Sequence, residues 1–294
     1  MATVGLVGLG LLGHAVAARL RAKGHEIVGY DVLPEKIQGL VALGGRGASS
    51  AAAVARGAEA VCILLPSLAS VEEAILGANG VAAGARAGLT IIQMSTISPA
   101  LTRRLAQEVG GRGLSFLDCP VSGTSGMVAR GDGLIFVGGE HTVYERWRLV
   151  LETILPRVVY VGAAGQAMAL KLVANLLVAL NTAAAAEALL MAERAGLDLA
   201  LVLAALTGSA ASSRMLEVRG PMIVRREFPP QMKLDLFMKD LALITEAGEQ
   251  VDAPLPLTRV ARQLYGTARG AGHGGEDLAV VITALERLRE PSAG

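Results

Sequence analysis

Short apolar runs alternate with amphipathic stretches through the first half of the chain. Residues 3–7, 26–31, 60–65, 89–94, 115–118, 134–137 and 158–161 have the length and apolar content of buried strands. Between several of them, residues 14–22, 71–76, 99–109 and 143–151 place apolar side chains at helical spacing. This alternation predicts a doubly wound, largely parallel sheet. The later strands have less helix between them, which leaves room for mixed direction. At Gly162-Ala163-Ala164-Gly165 the pattern changes. Residues 166–195 form one long apolar run, a helix of roughly 45 Å at 1.5 Å per residue. It is apolar nearly all round, so burial on several sides is expected. Helical patterns follow at 199–207, 213–222, 232–247, 257–271 and 277–288. The expectation is an α/β domain over 1–163 and an all-α domain over 164–294, joined by the long helix.

The first strand runs into Gly8-Leu9-Gly10-Leu11-Leu12-Gly13, which opens a helix. Three glycines in this context have three physical uses. The first permits a tight turn, the second lets backbone approach a pyrophosphate, and the third lets helix and strand pack closely. The helix N-terminus then faces the phosphate charge. Asp31 ends the next strand, at about the twenty-residue spacing of a ribose-binding carboxylate. Such a carboxylate accepts hydrogen bonds from a 2′-hydroxyl and repels a 2′-phosphate. The N-terminal domain is therefore read as a Rossmann dinucleotide-binding domain, with NAD favoured over NADP.

Composition narrows the picture. The chain has 294 residues, enough for about two domains. Its 27 basic and 26 acidic residues leave a net charge of +1, so no nucleic-acid or membrane surface is marked. Aromatic residues are 3%, too few for base-stacking platforms. Cys62 and Cys119 lie in apolar runs outside any metal-binding spacing and read as small buried hydrophobes in a reducing compartment. No metal site is expected. The first strand starts too early for a signal peptide, and a cytoplasmic location is expected. Residues 170–191 are apolar enough to suggest a membrane span, but Lys171, Asn175, Asn181 and Glu187 make that costly.

Hydride transfer requires a proton donor or acceptor near the substrate oxygen. His14 sits in the fingerprint helix, and His25, His141 and His273 sit in turn-like contexts. None is well placed for that work. Lys171 lies one turn into the long helix among Leu170, Leu172 and Val173, with Asn175 four residues on and on the same face. A buried ammonium is expensive, and desolvation of an amine favours its neutral form, which suits acid–base chemistry. Spacing alone equally accommodates a lysine snorkelling at a helix start.

The combination of motifs resembles the β-hydroxyacid dehydrogenases, the group containing 3-hydroxyisobutyrate dehydrogenase, tartronate semialdehyde reductase and, more distantly, 6-phosphogluconate dehydrogenase. The resemblance spans nearly the whole chain. It rests on the fingerprint at 7–13, on Leu64-Leu65-Pro66, on Ser95-Thr96-Ile97-Ser98-Pro99 and on the segment 116–123 ending in Ser122-Gly123. Gly162, Gly165, Lys171 and Asn175, then Lys239-Asp240-Leu241 and Asp277, complete it. The resemblance implies Lys171 as the acid–base residue and Asn175 as a substrate hydrogen-bonding partner. It further implies a substrate carboxylate at Ser122, Gly123 and Thr124. Cofactor contacts are implied at Gly8 through Gly13, Leu65, Pro66, Thr96 and Lys239. Departures occur where the family usually has a second glycine (Thr124), an acidic residue (Gln93), a second asparagine (Ala174) and an aromatic (Met232). They concern substrate identity rather than chemistry.

The expected activity is hydride transfer between NAD and a small 3-hydroxy acid, of the 3-hydroxyisobutyrate or glycerate/tartronate semialdehyde kind. The expected assembly is a homodimer or homotetramer. An imine reductase on the same scaffold and a non-catalytic NAD-binding protein are the alternatives. Lys171 opposes the first, and the Lys171–Asn175 pair opposes the second.

Overall fold

The computed structural model describes residues 1–288. It contains two compact units, Met1–Lys171 and one from Leu172 onward. In the first unit the chain runs β1 (Thr3–Val7), α1 (Leu11–Ala22), β2 (Glu26–Tyr30), α2 (Pro34–Ala42), β3 (Arg46–Gly47), α3 (Ala51–Arg56) and β4 (Ala60–Ile63). It continues through α4 (Leu68–Leu76), α5 (Val81–Gly84), β5 (Thr90–Gln93), α6 (Pro99–Gly110), β6 (Ser115–Asp118), β7 (Val121–Ser122) and α7 (Ser125–Arg130). The last elements are β8 (Leu134–Gly139), α8 (His141–Ile154), β9 (Val158–Gly162) and the start of α9 (Gln166–Arg194).

The strands form one sheet in the order β3-β2-β1-β4-β5-β6-β8-β7, with β9 paired to β8. Pairing is parallel from β3 to β6, antiparallel where β8 meets β6 and β7, and parallel again between β8 and β9. Strand order reverses beside β1, whose neighbours are β2 and β4. The carboxyl ends of β1 and β4 therefore open a crevice of the kind that takes ligands in doubly wound sheets.

Alternation explains how the sheet is covered. Val4, Leu6, Cys62 and Ile92 face one layer, with Val16, Leu20, Trp147 and Leu151. Val7, Val61, Ile63 and Ile91 face the other, with Val54, Val71, Ile75 and Leu105. Each fully buried aliphatic side chain of this kind contributes about 1.5–3 kcal/mol. The indole N–H of buried Trp147 donates to Thr90 Oγ1 at 2.9 Å, so its burial leaves no orphan donor.

The seven strand runs read from sequence all appear. The two-residue strands β3 and β7 and the helices α2, α3, α5 and α7 were not legible. Most of these are short, and α2 buries only Leu40, so its pattern carries little apolar signal. Strand β8 extends through Gly138 and Gly139, beyond its apolar run. At Gly138 a Cβ would crowd the Ala163 carbonyl, so glycine serves close packing there rather than ending the strand.

The second unit is helical. After α9 come α10 (Leu199–Thr207), α11 (Arg214–Arg225), α12 (Leu234–Gln250), α13 (Pro256–Gly270), two 3₁₀ turns at His273–Gly275 and Leu278–Val281, and α14 (Ile282–Arg287). Asp198 caps α10 by accepting from Ala200 and Leu201, and Ser213 caps α11 by accepting from Leu216. Tyr265 is fully buried and donates to Ala179 carbonyl oxygen at 3.0 Å, while its ring meets Phe237 edge-on. The run read as one helix over 277–288 divides, because Asp277 caps a 3₁₀ turn and the α-helix starts at Ile282. Burial of α9 is also less complete than expected. By length and composition it is a candidate membrane span, but 44% of its most apolar window is buried, and Val173, Leu177 and Met191 stand exposed.

Candidate active site

The fingerprint turn is built as its glycines require. Gly8 has φ +96°, and a Cβ there would overlap the Leu64 carbonyl. A Cβ at Gly13 would overlap the Gly8 carbonyl, so the third glycine lets α1 seat on the turn. Beside Gly10 nothing lies within 4 Å of a projected Cβ, which leaves the backbone open to a ligand. Gly10 caps α1 without a side-chain acceptor, and the first turn has no acidic residue. Leu11 and Leu12 thus bring backbone N–H groups to an electropositive helix end.

Asp31 is half-buried and held at both oxygens. Oδ2 accepts the Leu9 N–H at 2.7 Å, and Oδ1 accepts the Leu33 N–H at 3.0 Å. Each oxygen keeps a second lone pair for a hydroxyl. With Val7, Gly8, Tyr30, Leu65 and Glu73, Asp31 lines a cavity at the carboxyl ends of β1 and β2. Glycine backbone, helix terminus and a carboxylate-lined cavity together fit a dinucleotide.

Two neighbouring loops are tied together by Ser95, a motif residue to which the sequence assigns no role of its own. Ser95 Oγ accepts the Leu65 N–H at 2.7 Å and donates to the Ile63 carbonyl at 3.2 Å. The loop after β5, with half-buried Thr96, is thereby fixed to the loop after β4, with Leu65 and exposed Pro66. Gln93 braces it further: its amide donates to the Ser95 carbonyl at 2.9 Å and accepts the Ser95 N–H. A carboxylate in place of Gln93 lacks that donor, which gives this departure a structural reason. The cap at the start of α6 is Ser98, which accepts from Leu101 at 3.1 Å.

Ser122 ends β7 opposite Leu134, and Gly123 follows with φ +156°. Thr124 is the N-cap of α7, accepting the Met127 N–H at 3.3 Å. The hydroxyl that interrupts the usual glycine pair therefore has a local structural use. Thr124→Gly is expected to shift stability by only a few tenths of a kcal/mol, because glycine is itself tolerated at an N-cap. It is expected to change relative kcat/KM across a panel of hydroxy acids. An unchanged ranking of the acids would remove position 124 from the substrate contacts.

Lys171 and Asn175 lie one turn apart on α9, and both are buried, at 7% and 4% exposure. Asn175 Nδ2 donates to Asp240 Oδ2 at 2.8 Å on α12. This hydrogen bond fixes the amide so that its oxygen is the acceptor left to other groups. Lys239 lies 3.5 Å from Asp240 Oδ1 in an ion pair, with the lysine partly exposed and the carboxylate nearly buried. Sequence reading drew attention to Lys239, whereas Asp240 is the member of the pair that faces the core. Its signal was a carboxylate three residues from Phe237 and four from Ile244, on the buried face of α12. Cys62 and Cys119 are buried free thiols, and burial pushes Cys62 up to about 12 and Cys119 well above its usual value. Neither is a nucleophile near neutral pH.

Residues 3–162 match the NAD-binding domain of 6-phosphogluconate dehydrogenase. Residues 164–285 match the domain described as NAD-binding of NADP-dependent 3-hydroxyisobutyrate dehydrogenase. The chain belongs to the β-hydroxyacid dehydrogenase family. Over 97% of its length it is 35% identical to 2-hydroxy-3-oxopropionate reductase of Escherichia coli, of which 97% is covered. Over 98% of its length it is 33% identical to L-threonate dehydrogenase of Cupriavidus necator, of which 97% is covered. A solved structure of Mycobacterium tuberculosis 3-hydroxyisobutyrate dehydrogenase superposes with a TM-score of 0.89 at 30% identity, covering 99% of this chain and 100% of that one. Like these relatives, this β-hydroxyacid dehydrogenase is an oxidoreductase acting on the CH–OH group of a small hydroxy acid, with a nicotinamide dinucleotide as hydride partner.

Proposed function

We propose that this dehydrogenase interconverts a small 3-hydroxy acid and the matching aldehyde or ketone, using NAD, with Lys171 as the proton-transfer residue. The observation that carries the reading is a buried Lys171 with a buried Asn175 one turn along the same helix. A bound nicotinamide ring supplies the hydride acceptor in oxidation and the donor in reduction. Neutral Lys171 Nζ takes the hydroxyl proton as the carbinol carbon loses hydride; in reduction its ammonium returns that proton to the new alkoxide. Asn175, oriented through Asp240, hydrogen-bonds the substrate, and Ser122 with the Gly123 backbone N–H anchors its carboxylate. The names of the relatives favour 3-hydroxyisobutyrate, glycerate and its aldehyde, or a four-carbon sugar acid. A steady-state screen of these acids with NAD tests the reading; no turnover of any hydroxy acid by folded protein, or turnover of cyclic imines instead, overturns it.

NAD preference rests on Asp31, whose carboxylate repels a 2′-phosphate. The unmodified enzyme is expected to show the higher kcat/KM with NAD. Val32 is 79% exposed, so an arginine is accommodated there without loss of packing. Asp31→Asn with Val32→Arg is expected to raise the NADP:NAD ratio by about tenfold or more, the worth of one charge-assisted hydrogen bond. A higher kcat/KM with NADP in the unmodified enzyme overturns the ribose argument. We further propose a cytoplasmic enzyme, supported by two buried cysteines that form no disulfide. A homodimer or homotetramer is supported by the exposed apolar positions Val173, Leu177 and Met191 on α9; a monomeric mass in light scattering would exclude it.

A further inference from the structure

Several helices here are capped by a side chain at their own start. Ser67, Ser98 and Thr124 cap α4, α6 and α7. Helix α9 is held differently. Asp118, the last residue of β6, turns its carboxylate onto the opening of α9, 47 residues downstream of it. Oδ2 accepts the Gly165 N–H at 2.9 Å and the Met168 N–H at 3.0 Å. The side chain is wholly buried, and Oδ1 has no hydrogen-bond partner among the described residues. Burial pushes the carboxyl up to about 7, against the opposing pull of the two backbone N–H groups. A buried carboxylate with one idle oxygen is costly, so capping alone is a poor reason for it. A serine at the start of the helix satisfies the same donors at lower cost.

A local cap travels with its helix and leaves the helix free to rotate against its neighbours. A cap borrowed from the sheet does not. Two N–H groups three residues apart, bonded to one oxygen on β6, fix both the axial position and the rotation of the first turn of α9. Lys171 follows Met168 by three residues and so stands on the same side of the helix. A slip of one residue turns that side by about 100° and swings the long lysine arm away.

We propose that Asp118 is a positioning residue for proton transfer: by holding the Gly165 and Met168 N–H groups on the end of β6, it sets the rotation of α9 and the point at which Lys171 delivers its amine. The proposal rests on the assignment of Lys171 made above. Three variants test it, assayed with NAD and either 3-hydroxyisobutyrate or glycerate, as the screen selects. Asp118→Asn keeps a carbonyl oxygen for both N–H groups and is expected to retain kcat within about threefold. Asp118→Glu keeps the acceptor but moves it by one methylene, and Asp118→Leu removes it. Both are expected to lose kcat by about tenfold to a hundredfold, the usual effect of misplacing a reacting group by an ångström. The Kd for NAD alone, read by fluorescence, is expected to stay within about threefold for all three.

The deciding comparison uses the Lys171→Ala background. There Asp118→Glu or Asp118→Leu is expected to cause no further loss of kcat, since no amine remains to be positioned. An equal loss in both backgrounds, a failed Asn variant or a normal Glu variant each overturns the proposal. If Asp118→Leu does not fold, the Asn and Glu pair still decides. Failure of the Lys171 assignment is separate, and shows as near-normal turnover by Lys171→Ala itself.

Discussion

Lys171→Ala is expected to lower kcat by about 10²- to 10⁴-fold, the usual worth of a positioned acid–base group. Lys171 is buried, none of the four histidines suits the work by its place in the sequence, and the lysine amine is the group proposed to carry the proton. NAD affinity is expected to change little. The cavity with Gly8, Asp31 and Leu65 is built on β1, β2 and β4, and the lysine is not among its walls. Lys171→Met keeps most of the buried volume and separates lost chemistry from lost packing; it is expected to be as inactive as the alanine variant while melting closer to the unmodified protein. Lys171→Arg is expected to fail too, since a guanidinium does not give up its proton near neutral pH. In oxidation, the kcat/KM profile of the unmodified enzyme should rise with deprotonation of one group, and that limb should vanish in Lys171→Ala. A folded Lys171→Ala protein that binds NAD and turns over at near-normal rate would falsify the assignment.

Asp277→Ala is expected to be the most destabilising single change outside the hydrophobic core, at about 3–5 kcal/mol. Asp277 is fully buried, and its Oδ1 meets Arg219 Nε at 2.8 Å, with Arg219 also buried. The same carboxylate accepts the backbone N–H groups of Gln231 at 3.2 Å, Met232 at 2.9 Å and Ala279 at 3.1 Å. Its removal strands a buried guanidinium and three backbone donors at once. It also frees the segment that leads into α12, which carries Lys239 and Asp240. Arg219→Met is expected to cost less, because Asp277 then keeps its three backbone donors. Urea denaturation at constant m-value measures both. A loss below about 1 kcal/mol for Asp277→Ala, or a larger loss for Arg219→Met, would show that the network does not hold this segment.

The departures from the family pattern illustrate how a motif and a structure divide the information. Thr124, which the resemblance places at the substrate, also caps α7 with its hydroxyl. Gln93 stands where the family usually has an acid, and its amide braces the loop that carries Thr96. Met232 stands where an aromatic is usual, and its backbone N–H is held by Asp277. Each of these side chains or segments acts through a hydrogen bond, and a hydrogen bond has no period along the chain from which to read it.

What the sequence by itself determined is what contacts between near neighbours encode. Glycine spacing specified the fingerprint turn, alternation of apolar residues specified a sheet buried on both faces, and four-residue spacing placed Lys171 and Asn175 on one side of α9. The tertiary structure alone decided which distant groups hold those residues. Asp118 reaches Gly165 across 47 positions, Arg219 reaches Asp277 across 58, and Asn175 reaches Asp240 across 65. Local periodicity says which face of an element is buried, but not which residue of another element it meets. That choice is made by how whole helices and strands pack, and a carboxylate buried by that packing is held only by the donors the packing brings to it.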